Sequence, residues 1–395
     1  MNSKLRDRFN SEFTENNYKL FLDDVNSILK FPADFRIAET PLFLTESLSI
    51  DLINYSHEIV NQLMTEEFIE HSKNAVPKKL FVPNEKDHPE FLQIDFAISI
   101  DDDGKYIPRL IELQGFPSLY GFQYFLDKTM RKHFKIPKNY STFFNGIDSK
   151  SYVDILNDLI IGKSDPENII LMDINPEKQK TRIDFAATEK LLGIKSVCIS
   201  KIIQKNNKLF YQEHGKEIPI EKIYNRVIFD ELIRGKHKVN IDFTKDLNVD
   251  WVGHPNWFFR ISKHTLPFLS GDFVPECYFL SDLDEYPVDL ENFVLKPLYS
   301  FAGHGVELDV TPEILDNIDD KSNYILQAKV NYAPLIKTPG DEFAKAEIRL
   351  MFVWEDIPVL VNNLVRISKG KMMGVDYNKN KTWVGSSLAY HPPVF

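Results

Sequence analysis

A lysine closes an apolar run and a loop of small residues follows it: Phe293-Val-Leu-Lys296-Pro-Leu-Tyr-Ser300-Phe-Ala-Gly303-His304-Gly305-Val306. Glycine removes the steric bar to close backbone approach, so such a loop can offer N–H groups to an anion. The lysine adds a point charge suited to a phosphate. A hairpin turn with a surface lysine has the same local composition.

A second set joins carboxylates to an amide. Phe91 to Ile100 and Tyr106 to Leu113 read as strands around the turn Asp101-Asp102-Asp103-Gly104. Asp-Gly between apolar runs is a strong hairpin signal. Period two then puts Glu112 and Gln114 on one face, with Asp95 across from them. Two carboxylates and a carbonyl oxygen suit Mg²⁺, a hard cation that shares its ligands with ATP phosphates. The plainer alternative is a polar strand face in solvent.

Two further sets lie near the end of the chain. Glu347 and Arg349 share a strand face, and Arg366 closes the next strand just before Ser368-Lys369-Gly370. Arginines converging from neighbouring strands suit a phosphate or a developing anion; surface salt bridges are the alternative. The extended segment Tyr324-Ile-Leu-Gln327-Ala328-Lys329-Val330 can present backbone groups to an adenine edge. An ordinary sheet strand reads the same way.

These residues need elements to hold them. Residues 1–80 read as helices, with Leu48, Leu52, Ile53, Ile59 and Leu63 near helical spacing. Residues 81–145 contain the hairpin. Residues 150–250 read as an α/β unit: a strand Asn168 to Met172, a helix Lys180 to Leu192 capped by the turn Asp173 to Pro176, and a strand Ser196 to Ile199. A strand–helix–strand of that size implies a parallel pair with a crossover. Ile223 to Phe229 reads as a further strand. Residues 255–395 read as strands joined by loops: Phe293 to Pro297, Tyr324 to Val330, Glu347 to Trp354 and Val359 to Ile367, with a break at Pro339-Gly340-Asp341.

Composition bounds the function. A chain of 395 residues favours two or three packed units. An apolar fraction of 43%, with 30 Phe and 16 Tyr, supplies a core. The net charge of −11 argues against a nucleic-acid partner but not against ATP, because a basic pocket can sit inside an acidic protein. Cys198 and Cys277 form no CxxC pair, so neither a disulfide framework nor a zinc site is expected. Met1 to Asn10 lacks an apolar leader core, and no apolar run reaches a membrane span. A soluble, cytoplasmic setting is the expectation.

In combination these segments resemble the ATP-grasp superfamily, in its glutathione synthetase-like branch. Lys296 looks like the family's strand lysine on the ATP phosphates. Lys263, in Ser262-Lys263-His264-Thr265-Leu266, looks like its earlier ATP lysine. Ser300 to Val306, with Gly303, His304 and Gly305, is similar to the glycine loop over the phosphates. Gln327, Ala328, Lys329 and Val330 look like the hinge at the adenine. Glu347, Arg349 and Arg366 fall where the family places groups near nucleotide and acyl phosphate. The family's metal-binding strands usually come last; here Asp95 and Glu112-Leu-Gln114 come first. That order resembles the circularly permuted members, which include relatives of glutathionylspermidine synthetase. Leu171-Met-Asp173-Ile-Asn-Pro and Ile223-Tyr-Asn-Arg226-Val look like their pre-ATP-grasp domain. The likeness runs from near residue 90 to 395 and leaves residues 1–80 unaccounted for. The third metal ligand is usually Asn, and Gln114 is one methylene longer.

The resemblance implies an α/β (α+β) ATP-grasp fold with permuted strand order and a Rossmann-like pre-ATP-grasp domain. It implies ATP and Mg²⁺, and an ATP-dependent carboxylate–amine ligase acting through an acylphosphate on small-molecule or peptide substrates. Arg349 and Arg366 would be its catalytic cations. Two alternatives stand beside it: a phosphotransferase acting on a small hydroxyl substrate, and a nucleotide-binding module without turnover.

Overall fold

The computed structural model describes residues 1–394 except Lys236, Lys238, Phe301, Ala302 and Asp341; for Asp230, Ile233, Arg234, Val375 and Asp376 it describes the backbone alone. Calls made on Ser300 to Val306 and on Pro339 to Asp341 therefore lie partly outside the described residues.

The hairpin forms as its turn residues dictate. Asp101 Oδ1 accepts from the backbone N–H groups of Asp103 at 3.1 Å and Lys105 at 2.7 Å. Gly104 takes φ 79°, where a Cβ is penalised. The two strands run Phe91–Ile100 and Tyr106–Gln114. The first is buried along nearly its whole length, so it lies inside a sheet and not at an edge.

Its other neighbour comes from the far end of the chain. Phe343–Trp354 pairs antiparallel with Phe91–Ile100, and Pro358–Ser368 pairs with Phe343–Trp354. Gly385–Ser387 closes that edge, giving the order 385–387, 358–368, 343–354, 91–100, 106–114, with Ile336–Lys337 as a short addition. The side-chain period of two divides this sheet into unlike faces. Ile94, Phe96, Ile348, Leu350 and Phe352 point into one core, which is covered by the helix Glu46–Leu63. Phe91, Met351 and Val353 point into the other, covered by the helix Tyr120–His133. Gln93, Asp95, Glu347 and Arg349 share the parity of that second face, beyond its apolar end.

A parallel sheet has the order 250–252, 222–225, 169–173, 195–198. Ile169–Asp173 and Lys195–Cys198 are the expected parallel pair, and the helix Arg182–Leu192 makes the crossover. Two expectations are corrected here. The turn after Asp173 does not cap that helix: Thr181 precedes it without a side-chain bond, while Asn175 at φ 45° opens a single 3-10 turn at Pro176–Lys178. Ile223 to Phe229 is a strand only at Lys222–Asn225, and Phe229 instead begins the helix Phe229–Arg234.

The remaining elements complete the scaffold. A three-stranded antiparallel sheet has the order 277–279, 324–328, 293–297, and a small meander spans Ile203–Lys205, Lys208–Glu213 and Lys216–Ile220. The first 80 residues form the helices Ser3–Glu12, Glu15–Leu29, Glu46–Leu63 and Glu66–Lys73. Between them Leu42–Phe43 pairs in parallel with Ala389–Tyr390, a contact between chain ends that no local pattern announces. No helix among the described residues is long and apolar enough to cross a membrane.

One buried carboxylate, Asp184, ties the parallel sheet to the helix Tyr120–His133, and a second, Asp173, lies buried at the end of the strand Ile169–Asp173. Asp184 accepts from Leu119 N and Phe122 N, both at 3.0 Å, and pairs with Arg226 at 2.5 Å. Asp173 is 5% exposed, and burial pushes its carboxyl up to about 7 against the partial opposition of Arg226. A raised folded-state pKa means that the folded protein binds the proton more tightly than the unfolded chain, so the ionised side chain costs stability as pH rises from about 4 to about 7. Asp173→Asn is expected to stabilise the protein at pH 8 by about 2–4 kcal/mol, with the gain vanishing near pH 4. Urea unfolding at both pH values checks this.

Candidate functional site

The cross-strand register assembles most of the predicted site. Asp95 stands opposite Glu112 on one side and Arg349 on the other, and Glu347 stands opposite Arg366. Residues from both ends of the sequence thus become lateral neighbours on one face. Arg349 closes its fork on Asp95, with Nε to Oδ1 at 2.5 Å and Nη2 to Oδ2 at 2.6 Å. Arg366 also donates to Asp95 Oδ2 and lies 3.0 Å from Glu347 Oε2. Asp95 is 1% exposed, Glu347 4% and Arg349 7%, so these charges are paired in a nearly dry place.

Burial and pairing push the two carboxyls in opposite directions. Burial alone would raise Asp95, but the guanidinium charges of Arg349 and Arg366 outweigh it and hold the carboxyl below its usual range. Burial dominates at Glu347 and raises it, with Arg366 opposing and Asp95 adding to the rise. Tyr332 O–H donates to Glu347.

The lysines approach from other elements. Lys296 ends the strand Phe293–Pro297, whose register sets Val294 opposite Gln327. Its Nζ donates to Gln327 Oε1 and, at 3.4 Å, to Ile111 O. The second contact depends on a bulge: the ladder pairs Asp95 with Glu112 but Phe96 with Leu110, leaving Ile111 as the extra residue. Burial lowers the Lys296 ammonium, while Glu112 resists. Lys263 opens a 3-10 turn capped by Ser262 and Thr265, and its Nζ donates to Ser300 O at 2.7 Å. The same ammonium lies 3.9 Å from Glu112. Gly115 makes this approach possible: its N–H donates to Ile261 O at 2.9 Å, and a Cβ there would sit 2.6 Å from Trp257 O.

The three expected metal ligands meet, but in unequal states. Gln114 Nε2 donates to Glu112 Oε1 at 3.0 Å, while Gln114 Oε1 is buried with no partner. The Asp95 oxygens are both engaged by guanidinium. Among the described residues no group of three or more His, Cys, Asp or Glu is arranged to hold a metal ion. Glu112, Gln114, Lys263 and Ser300 line a narrow cleft of about 20 Å³, open to solvent, beside Phe258 and Tyr299.

The expected hinge is shorter than its sequence suggests. The strand covers Tyr324–Ala328, and Lys329 and Val330 lie past its end. Ala328 N donates to Glu276 O at 2.8 Å and Lys329 N to Asn292 O at 2.7 Å, so both donors are engaged within the chain. Gln327 Nε2 is buried without a partner. In the glycine loop, Gly303 and Gly305 take φ 74° and 73°, and His304 is exposed.

Sequence reasoning missed two members. Gln93 accepts from Arg349 Nη1 at 3.0 Å and donates to Ser118 O at 2.8 Å. Its place two residues before Asp95 was the available signal. Tyr332 carries no such signal, because a loop delivers it.

Compared by sequence, the chain matches no protein-family model and no curated protein. Compared by structure, it is similar to a glutathione synthetase like-effector, GSS30, from Globodera pallida, in apo form. The TM-score is 0.57 over 97% of this chain and 98% of that one, at 11% identity. The chain therefore has a glutathione synthetase-like, mixed α/β fold with several sheets. At that identity the likeness is one of fold.

Arg349→Gln tests the ionic arrangement. It leaves Asp95 buried with only the half-exposed Arg366, and breaking a buried pair of this kind costs about 3–5 kcal/mol. The native Asp95, held low, stays ionised from neutral pH to about pH 4. In the variant burial prevails and the carboxyl takes up a proton within that interval. The deficit should be largest at pH 7 and narrow towards pH 4 when followed by urea unfolding.

Proposed function

We propose that the chain is an ATP-dependent carboxylate–amine ligase on a circularly permuted ATP-grasp fold. Residues 81–145 and 255–395 would form the nucleotide site, and residues 150–250 the pre-ATP-grasp unit. The observation that carries this reading is the strand register. Asp95 and Glu112 from the front of the chain lie beside Arg349 and Arg366 from its end, with the buried Lys263 and Lys296 next to them. A permutation moves elements along the sequence while keeping their places in the sheet, and this arrangement has that form. Three buried polar atoms without partners, Gln114 Oε1, Gln327 Nε2 and Arg366 Nε, lie among the same residues. Buried polar atoms are normally paired, so a cluster of unpaired ones fits a ligand site.

The reaction needs charge neutralisation more than a nucleophilic side chain. A substrate carboxylate oxygen attacks the γ-phosphorus of ATP and the bond to ADP breaks. An amine nitrogen then attacks the acylphosphate carbon, phosphate leaves, and the amine proton passes to solvent or base. Lys263, Lys296 and the backbone near Gly303 and Gly305 would bind and orient the phosphates. Arg366, whose Nε is unengaged, would face the transferred group, and Arg349 would set its position through Asp95. Gln327 to Val330 and Glu347 would border the nucleoside. Glu112 and Gln114 offer hard oxygens that fit Mg²⁺, which supplies charge neutralisation when bound. Small-molecule or peptide carboxylates and amines are the partners this chemistry requires, and the two unpaired cysteines fit a cytoplasmic setting.

A second reading, nucleotide binding without turnover, rests on the engaged state of Asp95 and on Gln114 in place of Asn. A screen for ADP release with Mg²⁺-ATP across amino acids, polyamines and short peptides separates the two. ADP with free phosphate supports the ligase, ADP with a phosphorylated acceptor supports a kinase, and bound ATP without ADP supports the second reading.

Lys296→Ala is expected to weaken ATP binding about 10- to 100-fold, the worth of one charge-assisted hydrogen bond. Glu112→Ala should abolish turnover and keep measurable nucleotide affinity. Full activity in Glu112→Ala would show the metal assignment to be wrong.

A further inference from the structure

We propose that Asp95 is a positioning residue that holds two arginines in the place of a metal ion, so that the nucleotide site takes one divalent cation, on Glu112 and Gln114. This rests on the nucleotide reading above and adds to it the number of metals and the role of each acidic residue.

Asp95 Oδ2 receives donors from both Arg349 and Arg366, and Oδ1 receives Arg349 Nε. The fork is secured from behind, since Arg349 Nη1 donates to Gln93 Oε1 and Gln93 is tied to Ser118 O. The carboxylate is therefore enclosed by a fixed frame and not by a mobile arm. A divalent ion on Asp95 would have to enter between two guanidinium groups that are themselves cationic. The charge it would bring is already present. Arg366 reaches from Asp95 to Glu347, and Glu347 is further held by Tyr332. Two carboxylates and two guanidiniums thus balance inside the sheet.

Glu112 and Gln114 differ in kind. Glu112 borders the cleft, 3.9 Å from Lys263 and 3.8 Å from Arg349, without the bidentate closure that Asp95 has. Gln114 turns its Nε2 to Glu112 Oε1 at 3.0 Å, and its own Oε1 is buried and accepts nothing. A carboxylate and an unsatisfied carbonyl oxygen are what Mg²⁺ takes from a protein when phosphates and water supply its other ligands. Asp95 is chemically an acid of the same type, and its deeper burial and the direct closure of both its oxygens by guanidinium set it apart.

Mn²⁺ binding measured by electron paramagnetic resonance, with the non-hydrolysable analogue β,γ-imido-ATP present, tests this. The expected result is one Mn²⁺ per chain. Asp95→Asn should keep that ion with its affinity changed less than about threefold, while losing most of the turnover. Glu112→Gln should weaken it at least tenfold. Two Mn²⁺ per native chain, or loss of an ion in Asp95→Asn, overturns the proposal. The native count decides the question by itself if Asp95→Asn does not fold. Failure of the native chain to bind the analogue overturns the nucleotide reading and this inference with it, whereas two ions with the analogue bound overturns only the inference.

Discussion

The contact between Asp95 and the two arginines is the constraint on which the central sheet depends. Isolated charges are expensive to bury, and their attraction repays that cost only when the geometry is good and the remaining donors are satisfied. Here Arg349 grips Asp95 with both arms of its fork and gives a third donor to Gln93. The pairing also sets register. A slip of one residue would carry Arg349 to the face of Ile348 and Leu350, which is fully apolar and packed under the helix Glu46–Leu63. A strand from residue 91 and a strand from residue 354 are thus matched through charges that only one alignment satisfies.

The same sheet shows how core and site share one surface. Phe91, Met351 and Val353 anchor the face beneath the helix Tyr120–His133, and Gln93, Asp95, Glu347 and Arg349 continue it where that cover ends. Rigid apolar packing along one half gives the polar half precise positions. The bulge at Ile111 releases a carbonyl for Lys296, and Gly115 lets the end of the same strand press on the segment carrying Lys263. Two small backbone irregularities therefore bring Lys263 to the cleft and Lys296 against the strand that borders it.

The parallel sheet contributes by holding the helix that covers this face. Asp184 accepts two backbone donors at the start of the helix Tyr120–His133 and pairs with Arg226 from the strand end beyond Asn225. Of the N-terminal helices, Glu46–Leu63 closes the other side while Ser3–Glu12 and Glu15–Leu29 pack with the helix Tyr120–His133, and Leu42–Phe43 ties them to Ala389–Tyr390. Residues that carried no chemical signal in the sequence are in this way structurally required by those that did.

The sequence by itself determined what depends on near neighbours. Asp101 to Gly104 turns because its own side chain and glycine satisfy the turn, and Phe91 to Ile100 is extended because its apolar residues are. Alternation alone put Glu112 with Gln114 and Glu347 with Arg349. Tertiary structure decided what depends on partners distant in the chain. Four parallel strands form where three were read, Asp250–Val252 being the addition, and the helix at Phe229 replaces the end of the strand expected over Ile223 to Phe229, because packing against Phe243 and Phe259 overrides a short apolar pattern. The states of the acids were likewise invisible. Asp95 and Glu112 are alike as residues, and one is enclosed by guanidinium while the other borders a cleft, only because residues 349 and 366 return to the sheet beside residue 95. Local patterns report the conformation of a segment, whereas charge pairing depends on which segments become adjacent.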